Sequence, residues 1–529
     1  TLVSVYFLVQ NIQTHMHQPQ HKERKMIQGN NRGKIKQPPA AEVVKYMINP
    51  TINEEEQVRS FQNYVECNKA HVLMLEKQGI IKPEVAAKIL EVAEEMTAMG
   101  PTPSFELRPE LEEMYFNLEN YLIGKVGIEI GGQQHTARSR NDLYATVCRM
   151  DVRVLYLEIC KLFNKMRRTI LTVARNNFDA VMAGYTHLQP SEPITFAQYC
   201  SAILNAMDRD YARIETAWKQ LNICPLGGGS MGSTTWHIDR EFTARLLGFD
   251  APIDNSIDSV GSRDYILEIL SAFGIAANTF TRMCQDLYVW ATPDYGYVEV
   301  ADEVAVCSSI MPQKKNPWTL EHIKGKASNV EGCCIATWMV MKNTPYTHNN
   351  EANGEGPTMM WTAFAEMKAC IELLAVTMRG IKLNKELMVK TASNNFCTMA
   401  ELANTLVRAD HISFRTAHDI VAHVVNHMLE NNKKASEIDR SVIVPIAKEL
   451  FNIDSQVTDE EIQLGLDPVK NANSKSSQGG SAPEEVARQL DRLERLIEAS
   501  EVRVVERTHQ LADAKVETER LIQSLLARV

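Results

Sequence analysis

At 529 residues with a formal net charge of −10, the chain is too long for one compact core and implies roughly two to four structural units. Hydrophobic residues at 44% and charged residues at 23% are ordinary globular usage, which excludes a chain that is disordered throughout or built as an integral membrane protein. The acidic balance argues against nucleic acid as the main partner and leaves room for a local basic site that takes a small anion.

The opening TLVSVYFLVQ is apolar for about ten residues, well short of the ~20 that a membrane span needs, and no small-residue cleavage site follows it. No membrane association is expected, and the expected location is the cytoplasm. Residues 1–40 turn polar and basic after that stretch and are set aside as a flexible N-terminal extension. Residues 41–139 read as shorter helices with Pro-rich joints such as PTPSFELRPE, an N-terminal helical domain.

Between Ala145 and Ala183 there is neither Gly nor Pro, and Val152, Leu155, Ile159, Leu162, Met166, Ile170 and Val173 recur at helical steps. A second run lies between Pro193 and Pro225, with Phe196, Tyr199, Ile203 and Ala206 on one stripe. A third starts near Asp264 and carries Ile266, Leu270, Phe273, Ala277, Phe280, Cys284 and Leu287. Two more follow over roughly 318–342 and 358–388, so residues 140–390 predict a long central helical bundle whose helices reach about twice the mean globular length of ~11–12 residues. Helices this long leave apolar surface at their ends in a monomer, and packing against copies of the same bundle buries it, which predicts a homo-oligomer. Strand signals are sparse, and the predicted class is all-α.

From 391 to 529 a C-terminal helical domain is expected, with shorter helices and a polar loop, DPVKNANSKSSQGGSAPEE. Its tail places Val486, Leu490, Leu493, Ile497, Val504, Leu511, Leu521 and Leu525 at near-heptad steps amid charges and predicts an amphipathic helix packed on a partner. The eleven cysteines include no CxxC pair and read as reduced, mostly buried thiols.

The stretch CSSIMPQKKNPWTLEHIKGK (307–326) concentrates polar and conformationally awkward residues. Pro312 and the Asn316–Pro317 step force a loop, and the helical spacing that resumes beyond puts that loop at a helix N-terminus, where unpaired N–H groups and Lys314 and Lys315 favour an anion. On composition alone a carboxylate site and a solvated basic turn stand level.

This segment closely resembles the signature loop of the fumarase/aspartase superfamily, Gly-Ser-Ser-x-Met-Pro-x-Lys-x-Asn-Pro, departing only where Cys307 replaces Gly. HTARSRND (135–142), GYTHLQ (184–189), CPLGGGSMG (224–232) and GGSAP (479–483) resemble blocks of its argininosuccinate lyase branch, and they run in the family's order over about residues 100 to 485. The resemblance implies a three-domain all-α fold with a long central bundle at the core of a homotetramer, active sites shared between subunits, and no metal or organic cofactor. It implies a small dicarboxylate substrate and β-elimination of fumarate from an N-substituted aspartate. Ser308 would be the base, acting as an alkoxide, with Lys314 and Asn316 holding the carboxylate whose charge grows as the proton leaves. Ser309, Thr186 and Gln189 would add hydrogen bonds. His187, oriented by Glu321, would deliver the proton to the leaving amine. Ser139, Arg140 and Asn141 would clamp the succinyl part, a role for which a planar guanidinium suits a carboxylate better than an ammonium does.

The resemblance weakens on the amine side. Tyr115 in EMYF stands where the family carries His, Trp318 follows Asn-Pro where the family carries Asp, and PYTHNNEANGEGP (345–357) lacks the Gln and Lys that grip the amino-acid end of the arginine moiety. A buried polar group left unpaired costs about 1–3 kcal/mol, so an amine or amino acid other than arginine is expected as co-product, as in the ethylenediamine-disuccinate lyases that resemble this branch. The alternative is a non-catalytic structural homo-oligomer of the same fold, since members of this branch serve as lens structural proteins.

Overall fold

The computed structural model describes residues 37–529. Nearly all of the extension expected to be flexible, 1–40, lies outside the described residues. They form two compact units, one of the described residues up to Val65 with Lys88–Gln134, the other of Glu66–Ala87 with His135–Val529. The first buries Phe61, Leu90, Met96, Leu118 and Leu122. Tyr115 is buried there too, and its hydroxyl donates to Glu119 Oε1 at 2.8 Å, one helical turn on.

The second unit is organised by long helices: α1 (Arg140–Arg175), α2 (Phe196–Thr216), α3 (Asp264–Trp290), α4 (Trp318–Met341) and α5 (Gly356–Arg379). The sequence stops and starts them locally. Ser139 and Asp142 form a reciprocal capping box at the head of α1, and the Thr195 side chain accepts from Gln198 N at 3.0 Å at the head of α2. Packed together, α4 lies against α3 and α5, while α1 lies against α2 and α5. One apolar core runs through the bundle, including Val152, Tyr156, Phe163 and Met166 of α1, Ile266, Phe273 and Phe280 of α3, and Met360 and Met367 of α5.

Two expectations about the bundle helices need correction. On α2 the deeply buried stripe is Phe196, Cys200, Leu204, Met207 and Tyr211, one position on from the predicted one, and Tyr199 and Ile203 sit at its margin. Tyr199 lies there because its hydroxyl donates to Asp286 Oδ2 at 2.9 Å. The run predicted over 358–388 breaks at Gly380. Lys382–Leu383 then pairs with Val298–Glu299, and Asn384 starts a separate helix by accepting from Leu387 N at 3.2 Å.

The tail, α6 (Pro483–Leu526), is the longest of these helices at 44 residues, and the partner it covers is its own chain. Val486, Leu490, Leu493, Ile497 and Val504 join the bundle core, and Leu511 packs against it. Arg168 pairs with Glu501 and Arg503 with Glu215 across the seam, at 2.6 and 2.5 Å. Among the described residues, strand is confined to short two-stranded ladders. Two of them matter below: β1 (Val181–Thr186) with β2 (Gln189–Thr195), and β3 (Val306–Cys307) with β4 (Lys315–Asn316).

Leu493→Ala removes buried methyl groups from the α6 seam and is expected to destabilise by about 2–5 kcal/mol, seen as a lower thermal midpoint by circular dichroism. Val516→Ala, on the exposed face of the same helix, is expected to stay within about 0.5 kcal/mol of the parent.

Candidate active site

The signature segment folds as a small hairpin. Cys307 pairs with Lys315 and Val306 with Asn316, and Ser308 N donates to Lys314 O at 3.1 Å, closing the loop. Within it, Lys314 N donates to Met311 O at 3.0 Å. The Ser308 hydroxyl oxygen receives two backbone donors, Ile310 N at 3.4 Å and Met311 N at 3.2 Å. Donors aimed at an oxygen stabilise negative charge on it, which an alkoxide requires.

The adjacent lysines have different surroundings. Lys315 Nζ is held by Glu299 Oε1 at 2.7 Å and Asp302 Oδ1 at 2.6 Å, which raises its pKa and fastens the hairpin to the body. The Lys314 ammonium is exposed and has no hydrogen-bond or ion-pair partner among the described residues. Ser309 is exposed beside it, and Asn316 is part-buried in the ladder. Glu321 lies in the first turn of α4, where its Oε1 accepts from Tyr288 OH at 3.2 Å. Trp318 is about half exposed, with the His322 ring against it at 4.9 Å.

GYTHLQ forms the end of the β1–β2 hairpin. Thr186 pairs with Gln189, leaving a two-residue turn of His187 and Leu188 with φ of 54° and 58°. Left-handed backbone at both positions is the type I′ geometry that Asn-Gly adopts easily and His-Leu adopts against a steric cost of about 1–2 kcal/mol per residue. Gly184 permits the bend behind it, since a Cβ there would meet Glu192 O at 2.9 Å. Tyr185 anchors the strand through a 2.6 Å bond between its hydroxyl and that of Tyr297. Thr186, His187, Leu188 and Gln189 are all exposed at the tip.

The third locus is the N-terminus of α1. Asp142 is buried and accepts four backbone N–H groups: Ser139 and Leu143 at 3.0 Å on one oxygen, Gly227 and Gly229 at 2.9 Å on the other. It clasps the CPLGGGSMG loop against SRND, and Asn141 Nδ2 adds a bond to Ser230 O at 3.2 Å. Gly227 and Gly229 adopt φ of 92° and 65°, so the loop needs glycine there. Burial pushes the Asp142 carboxyl up to about 6, against the downward pull of the N–H groups and of Arg138. The sequence analysis assigns Asp142 no role. The available signal was an acid at the third position of a helix together with a Gly-Gly-Gly run that presents bare N–H groups.

The amine-side segment reaches this same end. Tyr144 OH donates to Asn353 O at 2.6 Å, Arg263 donates to Asn353 Oδ1, and Thr347 lies 4.0 Å from Met231 of the glycine loop. Within one chain the predicted residues therefore fall into three groups: Ser139, Arg140 and Asn141; Thr186, His187 and Gln189; and Ser308, Ser309, Lys314 and Asn316, with Glu321 on the following helix. Among the described residues no hydrogen bond or ion pair joins Ser308, Lys314, Asn316 or Glu321 to Thr186 or His187. Glu321, expected to orient His187, has Tyr288 as its partner inside the chain.

Residues 45–332 match a family model described as lyase, and residues 396–470 match one described as argininosuccinate lyase C-terminal. The chain is 42% identical to argininosuccinate lyase 1 of Shouchella clausii over 91% of its own length and 96% of that protein's. It is 36% identical to argininosuccinate lyase of Methanocaldococcus jannaschii over 92% and 97%. Among solved structures, EDDS lyase in complex with formate is similar at 27% identity and a TM-score of 0.82, over 93% of this chain and 97% of that one.

Asp142→Asn replaces one accepting oxygen with an amide nitrogen and leaves buried N–H groups unpaired. The expected outcome is a lower thermal midpoint and a loss of about tenfold or more in kcat/KM. The pH dependence follows from the raised carboxyl. The folded chain holds the Asp142 proton between the ordinary 3.8 and about 6, where the unfolded chain has released it. This group's contribution to stability therefore falls as pH rises through that window. Subtracting the variant's stability profile from the parent's should expose that decline, and a flat difference would contradict it.

Proposed function

The chain belongs to the argininosuccinate lyase branch of the fumarase/aspartase superfamily and is a carbon–nitrogen lyase that releases fumarate, and from that premise we propose how its three motif groups make one active site. Copies in a homotetramer bring one of each group to a shared cavity. Support comes from apolar side chains left outside on the bundle, Ile275 on α3, Ile335, Trp338 and Met339 on α4 and Met359 on α5, which a neighbouring copy would cover. No helix among the described residues is long and apolar enough to cross a membrane. The eleven thiols are all free, which suits the reducing cytoplasm. We propose three domains, 41–139, 140–390 and 391–529.

In this reading Ser139, Arg140 and Asn141 take one carboxylate of the N-substituted aspartate, and Thr186, Gln189 and Ser309 add hydrogen bonds. Ser308, as alkoxide, removes the proton from the carbon next to the other carboxylate. That carboxylate becomes a dianionic enediolate, and Lys314 and Asn316 meet its added charge. The C–N bond then breaks, the C=C bond of fumarate forms, and the amine nitrogen leaves with a proton delivered through His187, which Glu321 of another copy orients. The observation that carries the reading is the Ser308 oxygen facing two backbone N–H groups beside an unpaired Lys314.

The amine is proposed to be other than arginine, because the segment at the Arg140 end contains neither Lys nor Gln between Pro345 and Pro357. Incubating the protein with fumarate and a panel of amines, and identifying adducts by mass, tests both parts. Adducts should form, arginine should not be the best amine, and Ser308→Ala should lower the rate by about a thousandfold or more. No adduct with any amine would favour the structural oligomer, and arginine as the best amine would overturn the substrate reading.

A further inference from the structure

Tyr288 is not used by the reaction as described, yet it holds one end of Glu321. Glu321 is exposed in the first turn of α4, and with His322, Gly325, Lys326 and Asn329 it lines an open recess of about 410 Å³. Its Oε1 accepts from Tyr288 OH of α3 at 3.2 Å, while its Oε2 has no hydrogen-bond or ion-pair partner among the described residues. One oxygen is therefore committed within the chain, and the other is left to accept from an incoming N–H group. An exposed Glu samples many rotamers, and a hydrogen bond from a fixed donor narrows them.

The donor is itself fixed by a box of four side chains across the α3–α4 seam. Gln285 and Tyr288 are three residues apart on α3, and Glu321 and Lys324 are three apart on α4, so each pair shares a helix face. Lys324 Nζ donates to Gln285 Oε1 at 3.1 Å and stands 4.1 Å from the centre of the Tyr288 ring. The bond to Gln285 holds the ammonium over the ring, and the ring presents its hydroxyl to Glu321. The Glu321 charge holds that hydroxyl above its ordinary pKa, so it stays protonated and donates at neutral pH. Of the other titratable groups along the recess, Lys326 Nζ pairs with Glu366 of α5 at 3.0 Å, and the His322 ring lies against Trp318.

We propose that Tyr288 is a positioning residue for the elimination: its hydroxyl holds Glu321 by Oε1, which leaves Oε2 for His187 of another copy, and by drawing on the carboxylate's charge it limits how strongly Glu321 favours the protonated imidazole. This rests on the lyase reading above, in which Glu321 orients the histidine that protonates the leaving amine. Tyr288 acts through Glu321 and takes no part in the bond-breaking steps. The sign follows from the charge. A donor on Oε1 shares the negative charge, so removing it leaves a carboxylate that stabilises the imidazolium more.

The test follows fumarate release by its ultraviolet absorbance across pH, with argininosuccinate and with the adduct of the best amine of the panel above. The proton donor must be protonated to act, so kcat falls at high pH along a limb that reports the imidazole in the bound complex. Tyr288→Phe keeps the ring under Lys324 and removes only the hydroxyl. It should move that limb to higher pH by about half a unit, roughly threefold in the proton-binding constant, and lower kcat at the optimum about threefold as Glu321 loses its fixed rotamer. A ring-fluorinated tyrosine at the same position is a more acidic phenol and a stronger donor, and it should move the limb to lower pH. A merely structural tyrosine would alter the thermal midpoint and leave the limb in place, so an unmoved limb in both variants would overturn the proposal, as would a shift in the same direction in both. A parent that releases fumarate from neither substrate contradicts the lyase reading and the proposal with it, whereas an active parent whose variants leave the limb unmoved contradicts the proposal alone.

Discussion

The apolar face shared by α1, α3, α4 and α5 sets where every polar group of the site can stand. Side chains such as Phe163, Phe273, Phe280 and Met367 are sealed in one core, and the helices that carry them run 24 to 36 residues without interruption. A helix interior leaves no free N–H group, so residues that must offer donors or hold unusual backbone have to lie where helices begin. Ser139–Asn141 head α1, the Ser308 hairpin leads into α4, and the β1–β2 turn precedes α2. Length therefore has a mechanistic consequence, because turns at the ends of long helices are the parts of one chain that can reach into a neighbouring copy.

Charge management recurs at each turn. Backbone N–H groups converge on side-chain oxygens at two places, two on the Ser308 hydroxyl and four on the Asp142 carboxylate, two to each oxygen. The outcomes differ with solvent access. Asp142 is buried, so its carboxylate acts as a clasp that joins two parts of the chain, whereas Ser308 is part-exposed and open to a substrate. The two lysines show the same division of labour. Lys315 is neutralised by two carboxylates and serves the hairpin's shape, which leaves Lys314 as the unpaired cation of the loop.

The long helices were legible because a core-facing stripe repeats every three or four residues, and α3 matches its predicted stripe residue for residue. The shift on α2 and the break at Gly380 were not legible, since both are decided by neighbours in space: Asp286 for Tyr199, and Val298–Glu299 for Lys382–Leu383. The tail's heptad-like spacing correctly signalled an apolar face but carried no information about which surface it covers. At the site, the motif blocks were recognisable as strings. The left-handed backbone of His187 and Leu188 and the clasp at Asp142 emerge only from the folded chain.

The central claim, that Ser308 of one copy works with His187 of another, can be tested by mixing two inactive variants. Ser308→Ala and His187→Asn are each expected to be nearly silent alone. Dissociated and reassembled together in equal amounts, they should regain fumarate release at up to about one quarter of the parent level, since a random mixture unites an intact Ser308 with an intact His187 in that share of sites. A reassembled mixture that forms the same oligomer and stays as inactive as either variant alone would contradict a site shared between copies.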